Sequence, residues 1–316
     1  MTRGGILYSR RRTMTIDGSQ HICKLGDELL GLVRGIAAPL TDITPLTGVG
    51  YPGYTPTAFR LRFADGLVLK GRRCATAEQA ALVEHVVQRL CRDHFPAVVA
   101  RAGAALLTEW IDGRCLEPAA WPADLLTRCG ALHATMHNLP LPADLPARTR
   151  NPLAARYAEL QNKLAHLVAA GVVHSREADV VHDVAAHAMP RSCTVGYVHG
   201  DFCAENLVLR PSGDVGVVDN ETLGIDAHDF DLGRTWYRWP MRAAQRRAYL
   251  NGYRQHRDAG DFLRHFPFWA IGAVLRGAVF RLHKSAAGPV FPLARLRDLV
   301  KMLEAGTGAE DAVFRW

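Results

Sequence analysis

The chain has 316 residues, 48% of them hydrophobic and 22% charged, which excludes a disordered or collagen-like protein and leaves room for one large domain or two lobes. Its net charge is +7, and its seven cysteines (Cys23, Cys74, Cys91, Cys115, Cys129, Cys193, Cys203) include no C-x-x-C pair, which argues against a zinc ribbon and a disulfide scaffold. No stretch reaches the ~18 apolar residues of a membrane span, so no membrane partner is expected and a reducing cytoplasm is the expected setting.

Residues 1–20 read as a mobile basic tail (Arg3, Arg10, Arg11, Arg12) without the apolar core of a signal peptide, and Met14 offers an alternative start. Glu28 to Ala38 has helical spacing, and Pro39 to Gly53 is turn-rich. Phe59 to Phe63 alternates apolar and charged residues, Ala64-Asp65-Gly66 supplies a tight turn, and Leu67 to Lys70 returns as the second strand of a hairpin. Thr76 to Cys91 follows as a helix with Ala80, Val83, Val87 and Leu90 on one stripe, and Val98 to Ala100 and Ala104 to Trp110 read as strands. Residues 21–110 are thus expected to form a small sheet with one helix.

From 111 to 316 the pattern turns helical: Leu125 to Asn138, Pro152 to Ala170, Ser175 to Ala188, Trp239 to Asn251, Asp261 to Lys284 and Pro292 to Ala305. Between them, Leu207 to Leu209 and Val215 to Val218 flank Arg210-Pro211-Ser212-Gly213-Asp214 as a second hairpin. The fold class expected is α+β: a small antiparallel sheet lobe followed by a larger, mainly helical lobe. The carboxy-terminal third is basic (Arg242, Arg246, Arg247, Arg254, Arg257, Arg264, Arg276, Arg281, Lys284, Arg295, Arg297, Lys301). On helices such a run is read as a solvated face in preference to a nucleic-acid surface, and Phe262, Phe266, Trp269 and Phe280 as core.

The most specific pattern is VHGDFCAENLVLRPSGDVGVVDNE, in which Asp201 is followed by Asn206 and then by Asp219 at the end of the second hairpin. Phosphoryl transfer needs groups in this order: a carboxylate to take a hydroxyl proton, Asp201, then an amide and a second carboxylate to hold Mg2+, Asn206 and Asp219. His199 is assigned a structural role. Upstream, Lys70 closes a strand where an ammonium would meet the α- and β-phosphates, with Glu84 as its helix partner and Glu78 in reserve. Gly48, Gly50 and Gly53 form a G-x-G-x-x-G run before a strand, either a loop over phosphates or a plain turn, and Pro52 removes one of its amides. His133 and His137 have the spacing of a zinc helix but lack its glutamate and a third ligand. Asp226, Asp229 and Asp231 are read as capping and lobe support, with Asp231 placed just before a helix. The run Arg234 to Trp239 either lines the metal loop or is an aromatic core segment with two snorkelling arginines.

Together these residues resemble the aminoglycoside phosphotransferase and choline kinase superfamily, over about residues 25 to 305. The likeness rests on Val198-His199-Gly200-Asp201 with Asn206, on Val217-Val218-Asp219 with Glu221, and on Asp231-Leu232. It implies a protein-kinase-like fold, ATP (or GTP) and Mg2+ as cofactors, and a small-molecule hydroxyl acceptor, with no nucleic-acid partner. It also implies an interlobe hinge at Leu107 to Gly113, where Glu109 and Ile111 would offer backbone to adenine. Asn220 departs from the Trp or Phe usual there. The acceptor is expected among antibiotics, sugars and related metabolites; the basic carboxy-terminal helices favour a neutral or anionic compound over a polycation. The alternative is a nucleotide-binding pseudokinase that acts through a partner.

Overall fold

A computed structural model describes residues 25–46, 57–90, 92–143, 151–284 and 288–316. By contact clustering the chain falls into two units, residues 1–80 with 98–110 and residues 81–97 with 111–316. The glycine run Gly48, Gly50, Gly53 and the amino-terminal tail lie outside the described residues.

The first unit is one antiparallel sheet built from β1 (Leu40–Pro45), β2 (Ala58–Phe63), β3 (Val68–Arg73), β4 (Val98–Ala102) and β5 (Ala105–Glu109), in the order β1-β2-β3-β5-β4. Asp65 shapes the β2–β3 turn by accepting from Leu67 N at 3.0 Å, and Gly66 supplies the φ of 89° that a Cβ would resist. Helix α1 (Asp27–Arg34) lays Leu29 and Val33 on the core of Phe59, Leu61, Phe63, Leu69 and Leu107. Glu28 of the same helix accepts from Ala104 N at 2.9 Å and fixes it to the β4–β5 turn. Two expectations need correction here. The helix ends at Arg34, and residues 40–45 form an edge strand inside the segment read as turns. Thr and Ile in that strand match the pleated surface, and pairing with Phe59–Phe63 outweighs the prolines, which an edge position tolerates.

Helix α2 (Ala77–Val87) starts in the first unit and continues in the second, capped by Thr76, whose Oγ1 accepts from Gln79 N at 3.1 Å. The second unit then holds α3 (Ala123–His137), α4 (Leu153–Ala169), α5 (Ser175–Ala188), β6 (Val195–Val198), β7 (Leu207–Leu209), β8 (Val215–Val217), β9 (Gly224–Ala227), α6 (His228–Arg238), α7 (Ala243–Arg254), α8 (Gly260–Arg264), α9 (Phe266–Lys284), α10 (Val290–Glu304) and α11 (Ala309–Arg315). β7 and β8 form the expected hairpin, while β6 pairs antiparallel with β9. Helices α3 and α7 touch backbone to backbone: a Cβ at Gly130 would strike the Tyr249 carbonyl, and one at Gly252 the Thr127 carbonyl. No described helix is long and apolar enough to cross a membrane.

Further corrections follow. Residues 228–238 form a helix, so Asp231 lies in its first turn and not before it; Phe230 and Trp236 bury this Asp-, Gly- and Thr-rich segment against its weak propensity. The long carboxy-terminal helix is interrupted at His265, and Phe280 is 63% exposed while Phe262, Phe266 and Trp269 are buried. The basic third is not a uniformly solvated face. Arg246 is buried, its guanidinium pushed down to about 9 by burial and by Arg295, and it donates to Val313 O at 2.7 Å. Trp236 Nε1 donates to the same carbonyl at 3.0 Å, so one acceptor in α11 anchors α6 and α7. Arg247, Arg281 and Arg295 cover the rings of Phe314, Phe291 and Trp316.

Candidate functional site

β6 delivers His199-Gly200-Asp201, a single helical turn at 204–206 carries Asn206 into β7, and the strand β8 leads to Asp219. Asn206 Nδ2 donates to the backbone oxygen of Asp201 at 2.8 Å and to its carboxylate Oδ2 at 3.2 Å. The Asn206 carbonyl accepts from Val218 N at 2.9 Å, which places Asp219 one residue from the peptide bonded to Asn206. Asp219 has φ 59° and ψ 48° and is the one non-glycine among the described residues with a left-handed backbone. Such a conformation costs about 1–2 kcal/mol in an L-residue, is best tolerated by Asp and Asn, and gathers at functional sites. The two loops are also stitched together: Thr222 Oγ1 donates to His199 O at 2.6 Å, and Gly200, at φ 76°, passes where a Cβ would sit 2.8 Å from Thr222 O.

Asp231 grips the Asp201 loop from below. Its Oδ1 accepts from Gly200 N at 2.8 Å, and its Oδ2 accepts from His199 N at 2.8 Å, His133 Nε2 at 2.9 Å and His137 Nε2 at 3.2 Å. An ionised carboxylate can only accept, so both Nε2 atoms carry protons; on the far side of the rings, His133 Nδ1 is hydrogen-bonded to the Tyr249 hydroxyl at 2.6 Å and His137 Nδ1 to the Tyr253 hydroxyl at 2.7 Å, both from α7. Burial alone would raise the Asp231 carboxyl, but His133 and His137 beside it hold it well below the usual carboxylate range. Burial, reinforced by His133, pushes His137 down to about 3, so it stays neutral. His133, His137 and Asp231 offer ligand atoms within 4.8 Å of one another, a spacing a metal can use. Their protons and lone pairs are already committed, and the cluster is a hydrogen-bonded brace. His199 takes part through its backbone, while its Nδ1 accepts from Asp201 N at 3.3 Å. Burial lowers its pKa as well.

Helix α6 reaches Asp201 twice more. Arg234 donates from Nε to Gly200 O at 3.1 Å and from Nη2 to Asp201 Oδ1 at 3.0 Å; Arg238 lies 3.5 Å from Oδ2 and 2.6 Å from Glu205. The i, i+4 spacing of the two arginines was the signal in the sequence, but it carries meaning only once residues 228–238 are known to be helical.

The remaining predicted residues are distributed over both units. Lys70 is half-buried on β3, opposite Arg60 on β2 and Thr108 on β5, and Glu109 ends β5 opposite Leu69. In the second unit, Glu84 is half-buried in α2, and Ile111 is buried where a Cβ at Gly216 would come within 2.8 Å of it. Glu78 is exposed at the start of α2, its carboxyl lowered by a backbone amide and by Thr76. Arg114 pairs with Leu209 through two backbone hydrogen bonds of 3.0 and 2.9 Å, tying this part of the second unit to the β7–β8 hairpin.

A five-stranded antiparallel sheet unit, a mainly helical unit, and an Asp–Asn loop braced beside a hairpin define a kinase-like phosphotransferase. The profile of the phosphotransferase enzyme family matches residues 50–263, and the chain belongs to that family, kinases that act on hydroxyl groups. Among solved structures, it is similar to an ethanolamine kinase from Plasmodium vivax, with 9% identity over 84% of this chain and 83% of that one and a TM-score of 0.64. It is also similar to a choline kinase from Streptococcus pneumoniae, with 11% identity, 92% and 100% coverage and a TM-score of 0.64. A macrolide 2'-phosphotransferase from Brachybacterium faecium matches at 16% identity, 84% and 94% coverage and a TM-score of 0.55. At such identities the likeness shows the fold. No curated protein sequence matches the chain.

Proposed function

We propose that the protein is an ATP- and Mg2+-dependent kinase that moves the γ-phosphate to a hydroxyl of a small molecule, with Asp201 as the base. The observation that carries this reading is the direct contact of Asp201 with Asn206, one peptide from a left-handed Asp219. Asp201 is held from both sides, by Asn206 and Arg238 on Oδ2 and by Arg234 on Oδ1, and Oδ1 keeps a second lone pair. It would orient the acceptor hydroxyl and take its proton as the oxygen bonds the γ-phosphorus; the bond from phosphorus to the bridging oxygen breaks and the nucleoside diphosphate leaves.

The donor set fits a hard divalent cation. Asn206 spends its Nδ2 protons on Asp201, which leaves its amide oxygen as a ligand, and Asp219 adds a carboxylate; oxygen donors of this kind suit Mg2+. When bound, the ion would neutralise phosphate oxygens and hold the γ-phosphate in line. Lys70 is assigned to the α- and β-phosphates with Glu84 as its partner, because Glu78 is engaged with its own helix cap. Glu109 and Ile111 are assigned to the adenine by their backbone.

The reading is tested by ADP release with a panel of hydroxyl acceptors and both ATP and GTP as donors. Asp201→Ala should lower turnover by about 10²- to 10⁴-fold while nucleotide binding persists. Retention of full turnover, or loss of nucleotide binding in a folded Asp201→Ala variant, counts against the role given to Asp201.

A further inference from the structure

Three of the five large apolar side chains that stand exposed among the described residues lie between positions 280 and 291: Phe280 (63%), Val290 (71%) and Phe291 (47%). Phe280 sits near the end of α9, and the other two open α10. On α9, Arg276, Phe280 and Lys284 follow at four-residue spacing on one exposed face, with His283 beside them. Arg281, the residue after Phe280, carries its guanidinium 5.3 Å from the centre of the Phe291 ring and ties the two helix ends into one surface. The sequence from Arg276 to Arg297 contains no Asp or Glu. Two of its cations are committed elsewhere, Arg295 over the Trp316 ring at 4.0 Å and Arg297 to Glu177 at 2.7 Å. Arg276, Arg281 and Lys284 make no ion pair with a described residue. Glu159, the acid of the neighbouring groove between α4 and α9, is held by Arg156 and by Lys163 at 3.0 Å.

Cations in the last turn of α9 complement the helix dipole, but a dipole gives no reason for two phenylalanines and a valine to stand in water beside them. A partner helix or peptide would seek apolar walls, and Phe280, Val290 and Phe291 are not among the walls of the α4–α9 groove. Protruding apolar side chains set among cations on long stems match a bilayer surface instead. The rings enter the acyl boundary, and the ammonium and guanidinium groups reach the lipid phosphates. We propose that Phe280, Val290 and Phe291, with Arg276, Arg281 and Lys284, form a surface that attaches the protein to an anionic phospholipid bilayer. The sequence expectation of no membrane partner rested on the lack of a spanning segment, and this attachment needs none, since it enters one interface only. It is independent of the chemistry assigned to Asp201.

The test is co-sedimentation of the full chain with vesicles of phosphatidylcholine alone or with about a third phosphatidylglycerol. Three cations near an anionic surface should favour the mixed vesicles by about tenfold to a hundredfold, and raised salt should remove most of that preference. Phe280→Ser should weaken binding about tenfold or more, whereas Phe280→Trp should keep it. Arg281→Glu with Lys284→Glu should abolish the preference for anionic lipid. Leu67→Ser, at an exposed apolar residue of the first unit, should bind like the unaltered chain. Thermal melts of each variant, expected to be unchanged because these side chains are exposed, separate lost attachment from lost fold. No binding to either vesicle, a preference for anionic lipid under about threefold, or equal losses in Leu67→Ser and Phe280→Ser overturns the proposal. Binding that survives Phe280→Ser and Phe291→Ser but not the charge reversals also overturns it, because attachment would then be electrostatic alone. A dimer in sedimentation velocity that Phe280→Ser converts to monomer, without vesicle binding, would assign the surface to a second copy of the chain and sink the bilayer reading.

Discussion

Replacing Asp231 by Asn removes one charge and no volume, and its cost can be worked from the four donors that the carboxylate receives. An asparagine keeps one acceptor oxygen. Placed at the Oδ2 position, that oxygen still serves His199 N, His133 and His137, but its amide NH2 then opposes Gly200 N–H. Placed at Oδ1, it serves Gly200 alone and sets the NH2 against three donors. The first arrangement is cheaper, and it leaves one buried backbone donor unsatisfied, about 1–3 kcal/mol, besides weakening three charge-assisted bonds to neutral ones. The total expected is about 3–5 kcal/mol, in the range for breaking a buried charged network by removing one partner. Urea unfolding followed by tryptophan fluorescence reads it, since Trp236 sits on the same helix. ADP release measured below the transition should also fall, because Gly200 and Asp201 lose their tether. A shift under about 0.5 kcal/mol with unchanged turnover would refute the view that Asp231 holds the loop.

Two further outcomes are expected. Gly252→Ala should destabilise by about 1–3 kcal/mol or more, since its methyl meets the Thr127 carbonyl across the α3–α7 contact, while Gly171→Ala, with nothing near its Cβ but a φ of 70°, should cost about 1 kcal/mol; chemical denaturation of both distinguishes packing from backbone strain. Stability should also fall on acidification below about pH 6.5. His137, held near 3, and His228, lower still through burial and its neighbour His137, take up protons only in the unfolded chain, each contributing about 1.4 kcal/mol per pH unit. Asp229, pushed up to about 7 by burial and Asp261, is protonated in the folded chain first and works in the opposite sense, offsetting one histidine. Thermal melts from pH 7 to pH 5 should therefore decline, and decline more steeply in Asp229→Asn; a flat profile in both would contradict the assignment.

The contact between Asp201 and Asn206 was legible in the sequence because it spans five residues and one turn, so local spacing carries it. The brace below it was not. His133 and His137 are 98 and 94 residues from Asp231, and only the packing of α3, α6 and α7 brings them to one carboxylate. Their i, i+4 spacing reads in the sequence as a zinc motif without a third ligand, and nothing local discloses that Asp231 is the carboxylate both of them meet. β6 and β9 were missed for the same reason, since Val195 pairs with Ala227 across the entire loop region and each strand has only four residues. The helix at 228–238 lacks the composition of a helix, and Arg234 and Arg238 could not be placed on one face until it was known. In the first unit, alternation at Phe59–Phe63 and the Asp65-Gly66 turn were sufficient for the hairpin, whereas the edge strand at 40–45 hides behind its prolines.

The Val313 carbonyl accepts from Trp236 on the helix that carries Asp231 and Arg234, and from Arg246 on the helix that carries Tyr249 and Tyr253. The last turn of α11 thus acts as a keystone for the two helices whose side chains brace the Asp201 loop. Unwinding α11 would strand two buried donors at once, so a change in that helix would be felt at the Asp201 loop.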